Sequence, residues 1–233
     1  MKSEEFRKNG HALIDWMADY MDSVENLDVR SQVKPGDILS VLDDEPPVEG
    51  EPMEDIFEDF KKKIIPGMTH WQHPSFFAYF PANSSPPSVL AEMLTSTLGA
   101  QCMLWQTSPA ATEMETRITG WLQKMTGLPS GFHGVIQDSA SSATLCALLT
   151  AREKATDWRT NKEGMNSLSS SLIVYTSEEA HSSTEKGAKI AGFGKDSVRL
   201  IRTDNQFKMC SEALRCAVVD DISNGHTPTC VVA

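Results

Sequence analysis

Apolar residues recur at helical spacing near the N-terminus. Phe6, Leu13, Met17, Met21 and Val24 fall near one face with charges between them, which predicts a helix. The pattern then dissolves. From Asp43 to Asp59 nine acidic residues stand among Pro46, Pro47 and Pro52, the composition of a solvated connector. Trp71 to Pro87, WQHPSFFAYFPANSSPP, crowds aromatic rings between prolines. It is too interrupted for a regular helix and predicts an ordered loop that presents aromatic faces.

Two punctuated helices follow. Ser85 can cap the first, Pro86 and Pro87 open it, and Val89, Leu90, Met93, Leu94 and Leu98 form its stripe. Ser108 can cap the second, with Pro109 at its first position and Glu113 and Glu115 near its positive end. Ala111, Met114, Ile118, Trp121, Leu122 and Met125 make its apolar face, and Gly127 and Pro129 end it. From Gly134 the period changes. Strands are predicted at 134–137, 172–176, 198–202 and 229–233, alternating with helices at 141–156, 182–191 and 211–223. This alternation implies an α/β fold with a mainly parallel sheet covered by helices, preceded by an N-terminal helical segment.

Composition narrows the partners. The net charge of −11 argues against nucleic acid or an anionic membrane as the main partner, and no apolar run approaches a membrane span. The start, MKSEEFRKNGHALIDW, has no apolar signal-peptide core. The five cysteines form no CxxC pair, which points to reduced thiols in a cytoplasmic protein. The chain ends on Cys230-Val231-Val232-Ala233, inside an apolar strand, so it is expected to be a fragment.

In an open parallel sheet, ligands bind at the carboxyl ends of the strands. Two polar βα turns should lie on that rim: Asp138 to Ser142, within QDSASSATL, and Glu178 to Ser183, within EEAHSS. Ser139, Ser141 and His181 should therefore face one crevice. Small residues at a helix N-terminus suit an anion such as phosphate. A plain serine cap and a structural histidine account for the same residues without a ligand. Neither GxGxxG nor GxxxxGK[ST] occurs in the serine turn, and no GxSxG elbow follows a strand. His70 and His73 flank Trp71 with ligand-like spacing, but no acid or cysteine completes a set, so no metal is expected. The aromatic loop is either core packing or a wall for a flat, apolar substrate.

Four segments carry a resemblance: HWQHPSFFAYFPANSS, SPAATEMETRITGWLQKMTGL, GVIQDSASSATLCALLTAREK and YTSEEAHSSTEKGAKIAGFG. Together they closely resemble the pyridoxal-phosphate-dependent group II amino-acid decarboxylases, nearest to the aromatic-L-amino-acid branch. The resemblance implies an aspartate-aminotransferase-like, fold-type-I enzyme that is active as a homodimer. It implies a helical, partner-wrapping segment with the aromatic loop at residues 1–84, and the first part of the cofactor-binding domain at 85–233. It gives Ser139, Ala140 and Ser141 the cofactor phosphate. It gives His181 the role of stacking on the pyridine ring and assisting catalysis. Trp71, Tyr79, Phe80 and Pro81 match the substrate wall, and Met103 matches a side chain that enters the neighbouring subunit's pocket.

The implied reaction is decarboxylation of aromatic L-amino acids to amines. Another group II specificity, such as histidine, or aldehyde synthesis stays open, as does a non-catalytic fragment acting by dimerisation. Three departures stand out. Animal members have Gly at Asp138, Glu at Ser142 and Thr at Ala82. The family's Schiff-base lysine and its pyridine-nitrogen aspartate are expected beyond residue 233, so activity would need a complementary C-terminal chain or segment. Lys186 and Lys189 read as surface residues.

Overall fold

The computed structural model describes residues 1–80 and 84–233. Contacts divide the chain into two compact units, Met1–Ala100 and Gln101–Ala233.

In the first unit, α1 spans Ser3–Ser23, and a short α2 spans Asp37–Ser40. The expected connector is only partly a connector, because Met53–Asp59 forms α3 and the chain stays helical through Gly67. The reason lies in Ile56, Phe57 and Phe60, an apolar set that the acidic count obscures. Trp16 of α1 meets Phe57 edge-on at 5.8 Å and Phe60 at 5.2 Å, and stacks on Tyr20 at 5.4 Å. Aromatic burial thus decides the packed face of α1, whereas Phe6 and Met21 of the predicted stripe are exposed. α4 spans Pro86–Leu98, and the Ser85 hydroxyl accepts the Ser88 N–H as predicted. Its stripe is uncovered: Leu90, Leu94 and Leu98 are exposed.

In the second unit, α5 spans Pro109–Met125. Ser108 occupies its N-cap, but the Ser108 side chain makes no capping bond. Met114, Trp121 and Met125 on this helix are exposed as well. α6 spans Ala140–Ala155 and α7 Arg159–Glu163. Strand β1 (Leu172–Ser177) leads to α8 (Ser183–Ile190), β2 (Val198–Ile201) to α9 (Ser211–Ser223), and β3 spans Thr227–Val232. The sheet order is β2-β1-β3, with both pairings parallel. A register irregularity opposite Ile173 accommodates Pro228, which has no N–H for the ladder.

The expected strand at 134–137 is not part of this sheet. The segment has no ladder partner among the described residues, and Val135 and Ile136 are 71% and 59% exposed. An apolar run becomes a strand only when a neighbour satisfies its backbone.

Alternation along β1 builds a core on each face. Leu172 and Val174 pack with Leu148 of α6 and with Ala188, Ala191 and Phe193 in and after α8. Ile173 and Tyr175 pack with Ile201, Leu214 and Ala217 on the α9 side. On that second face the Tyr175 hydroxyl donates to Asp221 Oδ2 at 2.9 Å, and the Arg199 guanidinium grips the same carboxylate at 2.6 Å. This joins β1, β2 and α9. Hydrogen bonds from Arg199 hold Asp221 below the usual carboxylate range, against the opposing effect of burial. Burial and the Asp221 charge push the Tyr175 hydroxyl well above its ordinary value.

Candidate functional site

The serine turn forms because Ser139 is extended (φ −154°, ψ 161°) and its hydroxyl accepts the Ser142 N–H at 3.2 Å. That is a helix N-cap. The next amides, Ala140 and Ser141, have no acceptor among the described residues, as expected for the first turn of a helix. Ser139, Ala140 and Ser141 are all exposed and small. Asp138 is exposed too, so its carboxylate is hydrated rather than buried against the turn.

At the start of α8, His181 Nδ1 accepts the Ser183 N–H at 3.2 Å and lies 2.9 Å from the Ser183 hydroxyl. A backbone N–H can only donate. The neutral ring therefore carries its proton on Nε2, and that edge is the one left to act.

The packing of α6 on α8 brings these two turns to one end. A Cβ on Gly187 would lie 3.0 Å from Leu148 Cδ1 and 3.7 Å from Leu145 Cα. Further along, Arg152 Nη1 donates to the Ala191 carbonyl at 2.6 Å. Both contacts advance toward the C-termini together, so the helices run parallel. Their N-termini, one bearing Ser139 and the other following His181, lie beside the carboxyl end of β1. Gly187 permits the close approach.

Beneath them lies Thr176, 2% exposed, with a hydroxyl that has no partner among the described residues. By alternation it shares the face of Leu172 and Val174. At the same rim Glu178 Oε1 accepts the Thr203 N–H at 2.8 Å, tying the end of β1 to the end of β2. Free amides, small exposed hydroxyl residues, a helix of 16 residues behind them and an orphaned buried hydroxyl together fit a phosphorylated ligand.

The aromatic loop belongs to the first unit. Trp71 stacks on Phe76 at 4.8 Å and on Tyr79 at 5.8 Å, while Phe77, Tyr79 and Phe80 are 91%, 89% and 94% exposed. These three rings are therefore not core packing among the described residues. Tyr79 holds φ at +56°, an unfavourable region for a residue with a Cβ. Pro81 and Ala82 lie outside the described residues. Met103 is exposed, in a turn closed by Thr107.

His70 and His73 act as anchors for this loop. His70 is buried, its Nδ1 lies 2.7 Å from the Tyr20 hydroxyl, and its backbone N–H donates to the Val29 carbonyl. His73 Nδ1 accepts the Ser75 N–H, and its Nε2 reaches the Glu25 carbonyl at 3.2 Å.

Sequence reading missed several supporting residues. Glu113 accepts the Trp105 indole N–H at 3.1 Å, and Glu115 accepts the Ile136 N–H at 2.7 Å. Both had been assigned only to the helix dipole. An acid within an otherwise apolar-faced helix was the available signal.

Comparison with known proteins gives a consistent picture. Residues 35–233 match the model for the pyridoxal-dependent decarboxylase conserved domain. Tyrosine decarboxylase 4 of Petroselinum crispum is 42% identical over 236 residues, covering 98% of this chain and 46% of the relative. The crystal structure of Catharanthus roseus tryptophan decarboxylase in complex with L-tryptophan superposes with a TM-score of 0.90 at 38% identity, covering 99% of this chain and 49% of that one. Rhodiola rosea 4-hydroxyphenylacetaldehyde synthase gives the same TM-score of 0.90 at 38% identity, over 99% and 50% of the two chains. The chain spans about half the length of the curated relatives it matches.

Proposed function

The chain belongs to the pyridoxal-dependent decarboxylase family, and on that premise we propose that it forms the phosphate-holding and ring-stacking part of an aromatic-L-amino-acid decarboxylase. The observation that carries this reading is the shared end of α6 and α8, where the free amides after Ser139 and the Nε2 edge of His181 lie on one rim. Pyridoxal phosphate, when bound, supplies an electron sink for the pair left behind as the α-carboxylate departs.

The chain's own residues have separate tasks. The amides of Ala140 and Ser141, with the Ser139 and Ser141 hydroxyls, hold the phosphate dianion at the positive end of α6. Imidazole at His181 covers the flat face of the cofactor ring, and its fixed Nε2 proton is available to the reacting groups. Trp71, Tyr79 and Phe80 offer π-faces to an aromatic substrate, and Pro81 adds an apolar ring to the same wall. Met103 completes the pocket of a second copy. The exposed apolar faces of α4 and α5 support a homodimer, in which a partner or a further segment covers them. Unpaired thiols support a cytoplasmic location. The lysine that binds the cofactor covalently is assigned to residues beyond 233.

Aldehyde synthesis from the same amino acids is the second reading, favoured by the likeness to 4-hydroxyphenylacetaldehyde synthase. The test is product analysis. Purified full-length polypeptide, loaded with pyridoxal phosphate, is given L-Phe, L-Tyr, L-Trp and L-dihydroxyphenylalanine in turn. Amine with CO2 supports decarboxylation, and O2-dependent formation of aldehyde with CO2, ammonia and hydrogen peroxide supports the second reading. No product from any of them removes both.

A further inference from the structure

We propose that Glu115 is a positioning residue for the cofactor turn: its carboxylate, on α5, sets where the Gly134–Gln137 segment lies and hence where Ser139 to Ser141 point. The inference rests on the assignment of that turn to phosphate.

The segment that delivers Ser139 has no regular secondary structure and no strand neighbour among the described residues. Exposed apolar residues such as Val135 and Ile136 do not hold a backbone in place. Two contacts with α5 do. The Ile136 N–H donates to Glu115 Oε1 at 2.7 Å, across 21 residues of sequence. Gly134 lies against Thr119 so closely that a Cβ there would stand 2.8 Å from Thr119 Cβ and 3.0 Å from its Cγ2.

The spacings of the two contacts match. Residues 115 and 119 share one helix face, separated by about 6 Å of axial rise. Residues 134 and 136, two apart, can span at most about 7 Å. Residue 134 opposes 119, and 136 opposes 115, so the segment is fixed at two points in a defined direction. One contact alone would leave it free to pivot. Ser139 follows only three residues after Ile136. A displacement at Ile136 is therefore delivered to the first amides of α6 with little chain to absorb it.

A charged acceptor on a backbone amide makes a strong hydrogen bond, and the amide has no alternative acceptor within the described residues. The carboxylate here plays the part that a neighbouring strand's carbonyl would play in a ladder. Glu115 touches neither cofactor nor substrate in this account and acts only through the backbone.

Hydrogen exchange and cofactor affinity, read together on Glu115→Ala and Glu115→Gln, test the inference. Glu115→Gln keeps the accepting oxygen. The expected result is that Glu115→Ala speeds amide exchange in the peptide covering 134–142 by about tenfold and weakens pyridoxal phosphate binding by about tenfold. Glu115→Gln should stay within about threefold of the parent in both, because a neutral acceptor retains much of the bond. Exchange unchanged in Glu115→Ala would overturn the inference while leaving the proposed function standing. Equal loss in both variants would also overturn it, since the acceptor would then not be what matters. A parent protein that binds no pyridoxal phosphate would instead remove the proposed function, and exchange alone would still report whether Glu115 holds the segment.

Discussion

Leu148 Cδ1 lies 3.0 Å from where a Cβ on Gly187 would stand, which makes this glycine a point of close approach between α6 and α8. Leu148 is only 1% exposed, so it has little room to yield. Gly187→Val should therefore force the helices apart and cost about 1–3 kcal/mol, the usual range for overpacking. Because the two turns ride on these helices, cofactor affinity should fall with stability. Urea unfolding and a pyridoxal phosphate titration on the same sample check both effects.

The serine turn separates capping from binding. Ser139 caps α6, so Ser139→Ala should lower stability by about 1 kcal/mol and weaken cofactor binding as well. The Ser141 hydroxyl bonds to nothing among the described residues. Ser141→Ala should leave stability within about 0.5 kcal/mol and weaken binding about tenfold or more, the worth of one hydrogen bond to a charged group. Thermal melts of the unliganded protein, set beside dissociation constants, distinguish the two serines.

The Tyr175–Asp221–Arg199 cluster gives a pH dependence with a definite sign. Asp221 has its pKa depressed below the ordinary 3.8 by Arg199. Its stabilising contribution is therefore complete well above pH 3.8 and is lost as the pH falls through that value toward the folded-state pKa. Asp221→Asn should be less stable at neutral pH and show a flatter loss between pH 5 and pH 3, roughly the window in which a paired carboxylate is titrated. Tyr175→Phe keeps the ion pair and should cost less, about 1–3 kcal/mol. Denaturant midpoints across that range provide the measurement.

Tyr20→Phe removes the bond that fixes His70, 2.7 Å away, and with it one anchor of the aromatic loop. The expected outcome is a modest stability loss of about 1 kcal/mol and a raised KM for aromatic substrates, with kcat little changed. Steady-state kinetics on the full-length polypeptide decides it.

Much of this was legible in the sequence because local chemistry dictated it. Ser85 caps where spacing put it, α9 matches its predicted ends, and the β–α alternation from residue 172 onward gives a parallel sheet. What stayed hidden depends on distant partners. Residues 134–137 have the composition of a strand but no ladder neighbour among the described residues, and α3 lay concealed in an acidic run because Phe57 and Phe60 answer to Trp16. The stripes of α4 and α5 predicted burial that is not seen within this chain. At the site, Ser139 and His181 were expected on one rim from an alternation whose first strand, 134–137, is not in the sheet; the packing of α6 on α8 is what brings their turns to one end. The orphaned hydroxyl of Thr176 has no sequence signature, and the acid at Glu115 does not by itself reveal Ile136 as its partner, since each is defined by what lies across from it.

The most direct test of the account is equilibrium binding of pyridoxal phosphate to the purified protein and to Ser141→Ala, measured side by side. The account predicts saturable binding of one equivalent by the parent and at least about tenfold weaker binding by the variant, with both proteins equally folded. Absence of saturable binding, or identical affinities in the two, would contradict the assignment of the serine turn to the cofactor phosphate.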